Sequence, residues 1–167
     1  MADGSNATND AGATASGAAG TGGEQIERGI RFVPAEPQAI FDLLADPRQH
    51  ALIDGSGTVQ GSDDGNPERL SLGAKFGMSM KMGVPYRITN EVVEFDEPNV
   101  IAWRHMFHHV WRYRLRPVEG GTEVTEEFDW GASRSPTLLR LTGTTKKNAG
   151  AIEATLDRLA AHFAPPS

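Results

Sequence analysis

An α+β domain, built from a mainly antiparallel sheet and one long helix near its C-terminal end, is the fold class this sequence predicts. Three observations carry the prediction. Between Ala74 and Trp130 apolar and polar residues alternate with a period of two, in short segments separated by turn residues. Beyond residue 135 the period changes, and Ile152, Leu156, Leu159 and Phe163 recur at helical spacing. One hairpin register, finally, pairs opposite charges on one face of the strands and apolar groups on the other, which a chance alternation seldom does.

The elements follow in order. Residues 1–23 contain almost nothing but Ala, Gly, Ser, Thr and Asn, with two Asp and no Lys or Arg, too little apolar surface to order a chain. They read as a flexible tail, with neither the basic start nor the apolar run of a signal peptide, so the Asn6-Ala7-Thr8 sequon carries no meaning. Residues 24–167 form the expected single domain. Residues 25–33 place Ile26, Ile30 and Phe32 on alternate positions of a strand ending at Pro34. A helix follows, with Pro37 in its first turn, an apolar side made by Ile40, Phe41, Leu43 and Leu44, and Pro47 near its end. Residues 54–73 are a glycine-rich loop containing one short strand around Thr58 to Gly61. They are no phosphate loop, because they follow a helix and lack the G-x-x-x-x-G-K signature.

Five strands come next. In 75–81, Phe76, Met78 and Met80 alternate with polar residues; in 86–95, Tyr86, Ile88, Asn90 and Val92 share a face, with a bulge indicated near Val93. In 100–105, Trp103 and His105 lie on the same face as Ile101, and in 110–116, Trp111, Tyr113 and Leu115 oppose three arginines. In 122–130, Val124, Glu126, Phe128 and Trp130 oppose Glu123, Thr125, Glu127 and Asp129. A hairpin at Glu119-Gly120-Gly121 sets Arg116 opposite Glu123, Arg112 opposite Glu127 and Tyr113 opposite Glu126, and the preceding turn sets Asn90 opposite His105. The last segment, 135–163, is helical, with Ser135 as cap and Pro136 in the first turn, and Gly143 and Gly150 indicate a break or kink.

Composition narrows the function classes. A net charge of −6 opposes binding to phosphate backbones, and no apolar run approaches the roughly 20 residues of a membrane-spanning helix. The absence of cysteine removes disulfides, thiolate catalysis and cysteine metal sites, and fits a reducing, cytoplasmic compartment. Neither nucleic acid nor an integral membrane is an expected partner. Half of the chain's aromatic residues (Trp103, Phe107, Trp111, Tyr113, Phe128 and Trp130) fall between positions 103 and 130. Rings concentrated on one face, with Asn90, His105, Tyr113 and Glu126 set among them, favour a cavity over a solid core.

Each candidate has a plainer reading beside it. Glu126, between Val124 and Phe128, either loses hydration and becomes a useful acid/base group or lies at an open rim. His105 either orients a ligand or is a half-buried histidine satisfied by the fold. Met78 and Met80 line a cavity or fill a core, as do the three tryptophans. The H-x-x-H-H run at 105–109 invites a metal site, but at a hairpin tip His108 and His109 point in different directions and no nearby carboxylate completes a set, so no metal is expected.

The segments F-D-L-L-A-D-P at 41–47, G-A-K-F-G-M at 73–78, N-E-V-V-E-F at 90–95, I-A-W-R at 101–104, W-R-Y-R-L-R-P at 111–117, G-G-T-E-V-T at 120–125 and L-D-R-L-A at 156–160 carry a resemblance. Over about residues 25–163 the chain resembles the START-like (SRPBCC) superfamily of helix-grip proteins, in its polyketide cyclase/dehydrase and lipid-transport branch. The resemblance implies a seven-stranded antiparallel sheet wrapped around a long C-terminal helix, with one or two short helices between the first two strands. It also implies a cavity for a hydrophobic, lipid-like or polyketide-like molecule and no cofactor. Its members include carriers, sensors and aromatase/cyclases, so fold alone does not choose among them. The first expectation is a binding or transport protein, monomeric or weakly dimeric. Its ligand-lining set is Phe76, Met78, Met80, Tyr86, Ile88, Asn90, Trp103, His105, Trp111, Tyr113, Glu126, Phe128 and Trp130. The alternative is a cyclase/dehydratase-type enzyme using Glu126, Tyr113 or His105, and a further alternative is a protein-interaction module with a vestigial cavity.

Overall fold

A computed structural model of the chain describes residues 25–105, 108–131, 133 and 143–165. The period-two segments become one seven-stranded antiparallel sheet. Strand β1 (Ile26–Val33) is followed by helix α1 (Pro37–Ala45), a single 3-10 turn (Pro47–Gln49), the short helix α2 (His50–Ile53) and strand β2 (Val59–Ser62). Strands β3 (Lys75–Met82), β4 (Val84–Asp96), β5 (Val100–His105), β6 (Val110–Val118) and β7 (Gly121–Asp129) then run as a meander, and helix α3 (Thr144–His162) closes the fold. The strand order is β1-β7-β6-β5-β4-β3-β2, so β1 pairs with the last strand and the sheet curls around α3. This is the α+β helix-grip arrangement.

The register matches the one read from charge and apolar pairing. Arg116 faces Glu123, Arg112 faces Glu127, Tyr113 faces Glu126 and Asn90 faces His105. The pairing of β4 with β5 shifts between Val92 and Glu94, which is the bulge that the loss of alternation at Val93 indicates. On the convex face the arginines are paired: Arg104 with Glu91 at 3.1 Å, Arg116 with Glu123 at 2.7 Å, and Arg112 with Glu94 and, at 3.2 Å, with Glu127. The alternation that exports these charges brings Ile101, Tyr113, Leu115, Val124 and Phe128 inward against Phe41 and Leu44 of α1 and Ile152, Leu156 and Leu159 of α3. Burying each such aliphatic or aromatic side chain contributes roughly 1.5–3 kcal/mol.

Strand β1 departs from the expectation. Its apolar residues Ile30 and Phe32 lie on the exposed face, 55% and 50% accessible, while Gly29 and Arg31 face α3. The reason is distance. A Cβ on Gly29 would stand 2.6 Å from Ile152 Cγ2 and 2.9 Å from Leu156 Cδ1, so helix and strand approach too closely for a side chain there. One position further on, Arg31 bridges Glu153 and Asp157 of α3, both at 2.9 Å. At Gly29 and Arg31 small size and charge pairing select the inner face, and Val33 on the same side is fully buried in the core. Helix α3 begins at Thr144, directly after Gly143 at φ 69°, and runs through Gly150 to His162 without the break that glycine indicates. Ser135, Pro136, Phe107 and the tail at 1–23 lie outside the described residues.

Candidate functional site

The curl of the sheet leaves a cavity of about 150 Å³ between its concave face, α2 and α3. An apolar cavity of about that volume admits a single aromatic ring. Its sheet wall is built by strand alternation: Phe76, Met78 and Met80 from β3, Ile88 and Asn90 from β4, Trp103 and His105 from β5, Trp111 and Tyr113 from β6, and Glu126 from β7. The opposite wall comes from His50 and Ile53 of α2, Asp54, Ser56 and Val59 after it, and Asn148, Ala151 and Thr155 of α3.

Ten of the thirteen residues expected to line a cavity thus meet on one wall, and three do not. Tyr86 sits further out on the β3–β4 hairpin, 38% exposed, because those strands run on past the body of the domain. Phe128 is one inward position beyond Glu126 and is taken up by ring packing, 4.7 Å from Trp111 and 5.0 Å from His109. Trp130 is buried in the core at the end of β7, where its backbone N–H bonds Gln25 of the entering chain.

Glu126 is 2% exposed, and the Tyr113 hydroxyl donates to its Oε1 at 2.7 Å. Its Oε2 is buried with no hydrogen-bond partner among the described residues. Burial raises the carboxyl pKa to about 8; the Tyr113 hydrogen bond works against that rise, and the charges of Asp54 and Glu153 add to it. Tyr113 is itself pushed well above the ordinary tyrosine value by burial and by Glu126. Near neutral pH the pair is therefore mostly uncharged and holds a transferable proton. Tyr113→Phe removes the one side-chain hydrogen bond that Glu126 makes among the described residues, and is expected to cost about 1–2 kcal/mol in urea unfolding while raising the Glu126 pKa further. A carboxyl resonance titrating at unchanged pH in that variant would contradict the geometry.

His50 borders the cavity, and the sequence reading missed it. It belongs to a four-residue helix, too short to show periodicity, and its position behind Pro47 is its only signal. The ring nitrogen Nε2 lies 2.8 Å from the Leu44 carbonyl and donates to it, leaving Nδ1 with the lone pair. Burial lowers the His50 pKa, and the ring stacks on Trp103 with centroids 4.9 Å apart and Phe76 edge-on to both. This aromatic cluster forms one end of the cavity wall.

His105 stacks parallel on His109, 4.9 Å between centroids and 6° between planes. Burial lowers both pKa values, that of His109 to about 4 with His105 adding to the effect. His108 turns away at φ 68°. Among the described residues no three His, Asp or Glu side chains gather as a metal site would require. A second, more open hollow of about 210 Å³ lies beyond Asn90 and His105, bounded by Lys75, Thr89, Glu91, Arg104 and His108. The main cavity can therefore hold a ringed, largely apolar molecule and offer it one proton-exchanging carboxyl and several hydrogen-bonding groups.

Solved structures place this architecture. The Ms6760 protein of Mycobacterium smegmatis superposes with a TM-score of 0.61 over 83% of this chain and 93% of its own, at 19% identity. An AHSA1-like protein of Aeromonas hydrophila does so with a TM-score of 0.59 over 85% and 97%, at 17% identity. In sequence the chain is 38% identical over 146 residues to "Uncharacterized protein Rv0088" of Mycobacterium tuberculosis. That match covers 84% of this chain and 64% of the relative's length. The polyketide cyclase/dehydrase and lipid transport family matches residues 28–164, from within β1 through the end of α3, and it is to this family that the chain belongs.

Proposed function

We propose that the domain binds a hydrophobic small molecule, lipid-like or polyketide-like, in the cavity between sheet and C-terminal helix. The observation that carries this reading is the polar inset within a ring-lined hollow: Glu126 keeps a buried oxygen with no partner among the described residues, on a wall that also carries Phe76, Met78, Trp103 and Trp111. A folding core gains nothing from such a group, whereas a binding site uses it to orient its occupant. No described helix is long and apolar enough to cross a membrane. A cytoplasmic carrier, monomeric or weakly dimeric, is the form of the proposal.

A neutral one-ring dye such as 4-(dimethylamino)benzonitrile is expected to brighten and saturate at one per chain, and Ala151→Phe, which fills the cavity from α3, to abolish the signal with the far-UV spectrum unchanged. Equal brightening in that variant would overturn the assignment. Native mass spectrometry of protein from its own host would identify a co-purifying occupant directly. The second reading is a cyclase/dehydratase-type enzyme, and the observation favouring it is the same Tyr113–Glu126 pair, protonated near neutrality and able to give and take a proton. Glu126→Gln separates the two: a carrier keeps its dye affinity and has no turnover to lose, whereas an enzyme keeps the affinity and loses turnover.

A further inference from the structure

The cavity wall contains two carboxyl groups, Asp54 and Glu126, and among the described lining residues no lysine or arginine. Strand alternation is responsible, since it sends Arg104, Arg112, Arg114 and Arg116 to the convex face with their acidic partners. Asp54 is held in place by its own loop: Oδ1 accepts from the Ser56 N–H and hydroxyl, and Oδ2 from the Val59 N–H at 2.9 Å. Its carboxyl stands beside the hollow, and among the described residues Arg158 reaches the Asp54 backbone carbonyl and not its carboxyl oxygens. Glu126 is different, because Tyr113 satisfies only Oε1 and Oε2 is left buried without a partner. The rings of Trp103 and Tyr113, 5.5 Å apart, stand on the wall beside it.

An anionic occupant would set a second negative charge beside that of Asp54 and would be met at Oε2 only while Glu126 keeps its proton. An ammonium group answers each feature at once: it donates to Oε2, offsets the Asp54 charge, and meets the negative faces of aromatic rings. Resting on the hydrophobic-ligand reading above, we propose that the occupant is a compact ringed amine, bound as its ammonium ion with the nitrogen on Glu126 Oε2. Because Glu126 is largely protonated in the empty cavity near neutral pH, binding converts it to carboxylate and passes its proton to solvent while the ligand stays an ammonium ion. The groups acting on Glu126 from the elements around it are Tyr113 on β6, Asp54 after α2 and Glu153 on α3.

Three one-ring probes of one shape test this: benzylamine, benzyl alcohol and benzoate, titrated calorimetrically into the full chain at pH 7 in two buffers of different ionisation enthalpy. The amine is expected to bind at least about tenfold more tightly than either of the others and to release close to one proton. Glu126→Gln is expected to cost the amine about tenfold or more and to leave the alcohol within about threefold, which also shows that the variant folds. Carboxylate or alcohol binding equal to the amine, amine binding untouched by Glu126→Gln, or no proton release would each overturn the proposal. Binding by none of the three would overturn the hydrophobic-ligand reading beneath it instead.

Discussion

Replacing Gly55 by alanine is expected to lower stability by about 3 kcal/mol, a Tm drop on the order of 10 °C, and to damage the cavity at the same time. Gly55 opens the loop that docks on the C-terminal helix: its N–H donates to Thr155 Oγ1 at 2.9 Å, and the Arg158 side chain reaches the Asp54 carbonyl beside it. A Cβ at this position would lie 2.3 Å from both the Ala151 carbonyl oxygen and the Thr155 nitrogen. Those are backbone atoms of a helix and cannot rotate aside. Loop or helix must shift, and both carry cavity wall, in Asp54 and Ser56 on one side and Ala151 and Thr155 on the other. Gly65→Ala is the control, since nothing lies within 4 Å of its added methyl, and it is expected to stay within about 0.5 kcal/mol of the parent. Urea midpoints measure both, and a Gly55→Ala protein as stable as the control would mean that the helix is not seated on this loop.

Glu126→Gln is expected to change how stability depends on pH, with an effect of similar size. A carboxyl whose folded pKa is raised to about 8, against an ordinary value of 4.5, holds its proton more tightly folded than unfolded. Its contribution is therefore fully present below about pH 4.5 and is lost as pH rises towards 8, at about 1.4 kcal/mol per pH unit. Between pH 5 and pH 8 the stability difference between parent and variant should move in favour of the glutamine protein by about 3–4 kcal/mol. Comparing the two proteins at each pH cancels the surface ion pairs, which both share. A difference that stays constant across that window would place Glu126 in contact with water, and the acid/base and amine-binding readings would fall with it.

Much of the sheet was legible because its code is local. On β6 and β7 every inward residue and its cross-strand partner follow from a period of two and one hairpin, so Tyr113 opposite Glu126 needs only those strands. The bulge at Val92–Glu94 likewise leaves its mark where alternation fails. Strand β1 was misleading because its partner on the inner face is a helix more than a hundred residues away. Nothing near Gly29 announces that Ile152 will press on it, and the nearby Ile30 and Phe32 advertise the other face. His50 was illegible for a related reason, being placed by a stack on Trp103 and not by any pattern in its own four-residue helix.

Taken alone, the order of residues determined the strands, their register, the export of the arginines, and which side chains of β3 to β7 share a concave face, because alternation and hairpin closure act between near neighbours in the chain. Tertiary structure decided how close α3 comes to β1 and to the Gly55 loop, which of those inward side chains border open space and which interlock, and that Oε2 of Glu126 ends without a partner among the described residues. Those outcomes depend on the distance between elements remote in sequence, and packing settles such distances only when the whole sheet has curled around its helix.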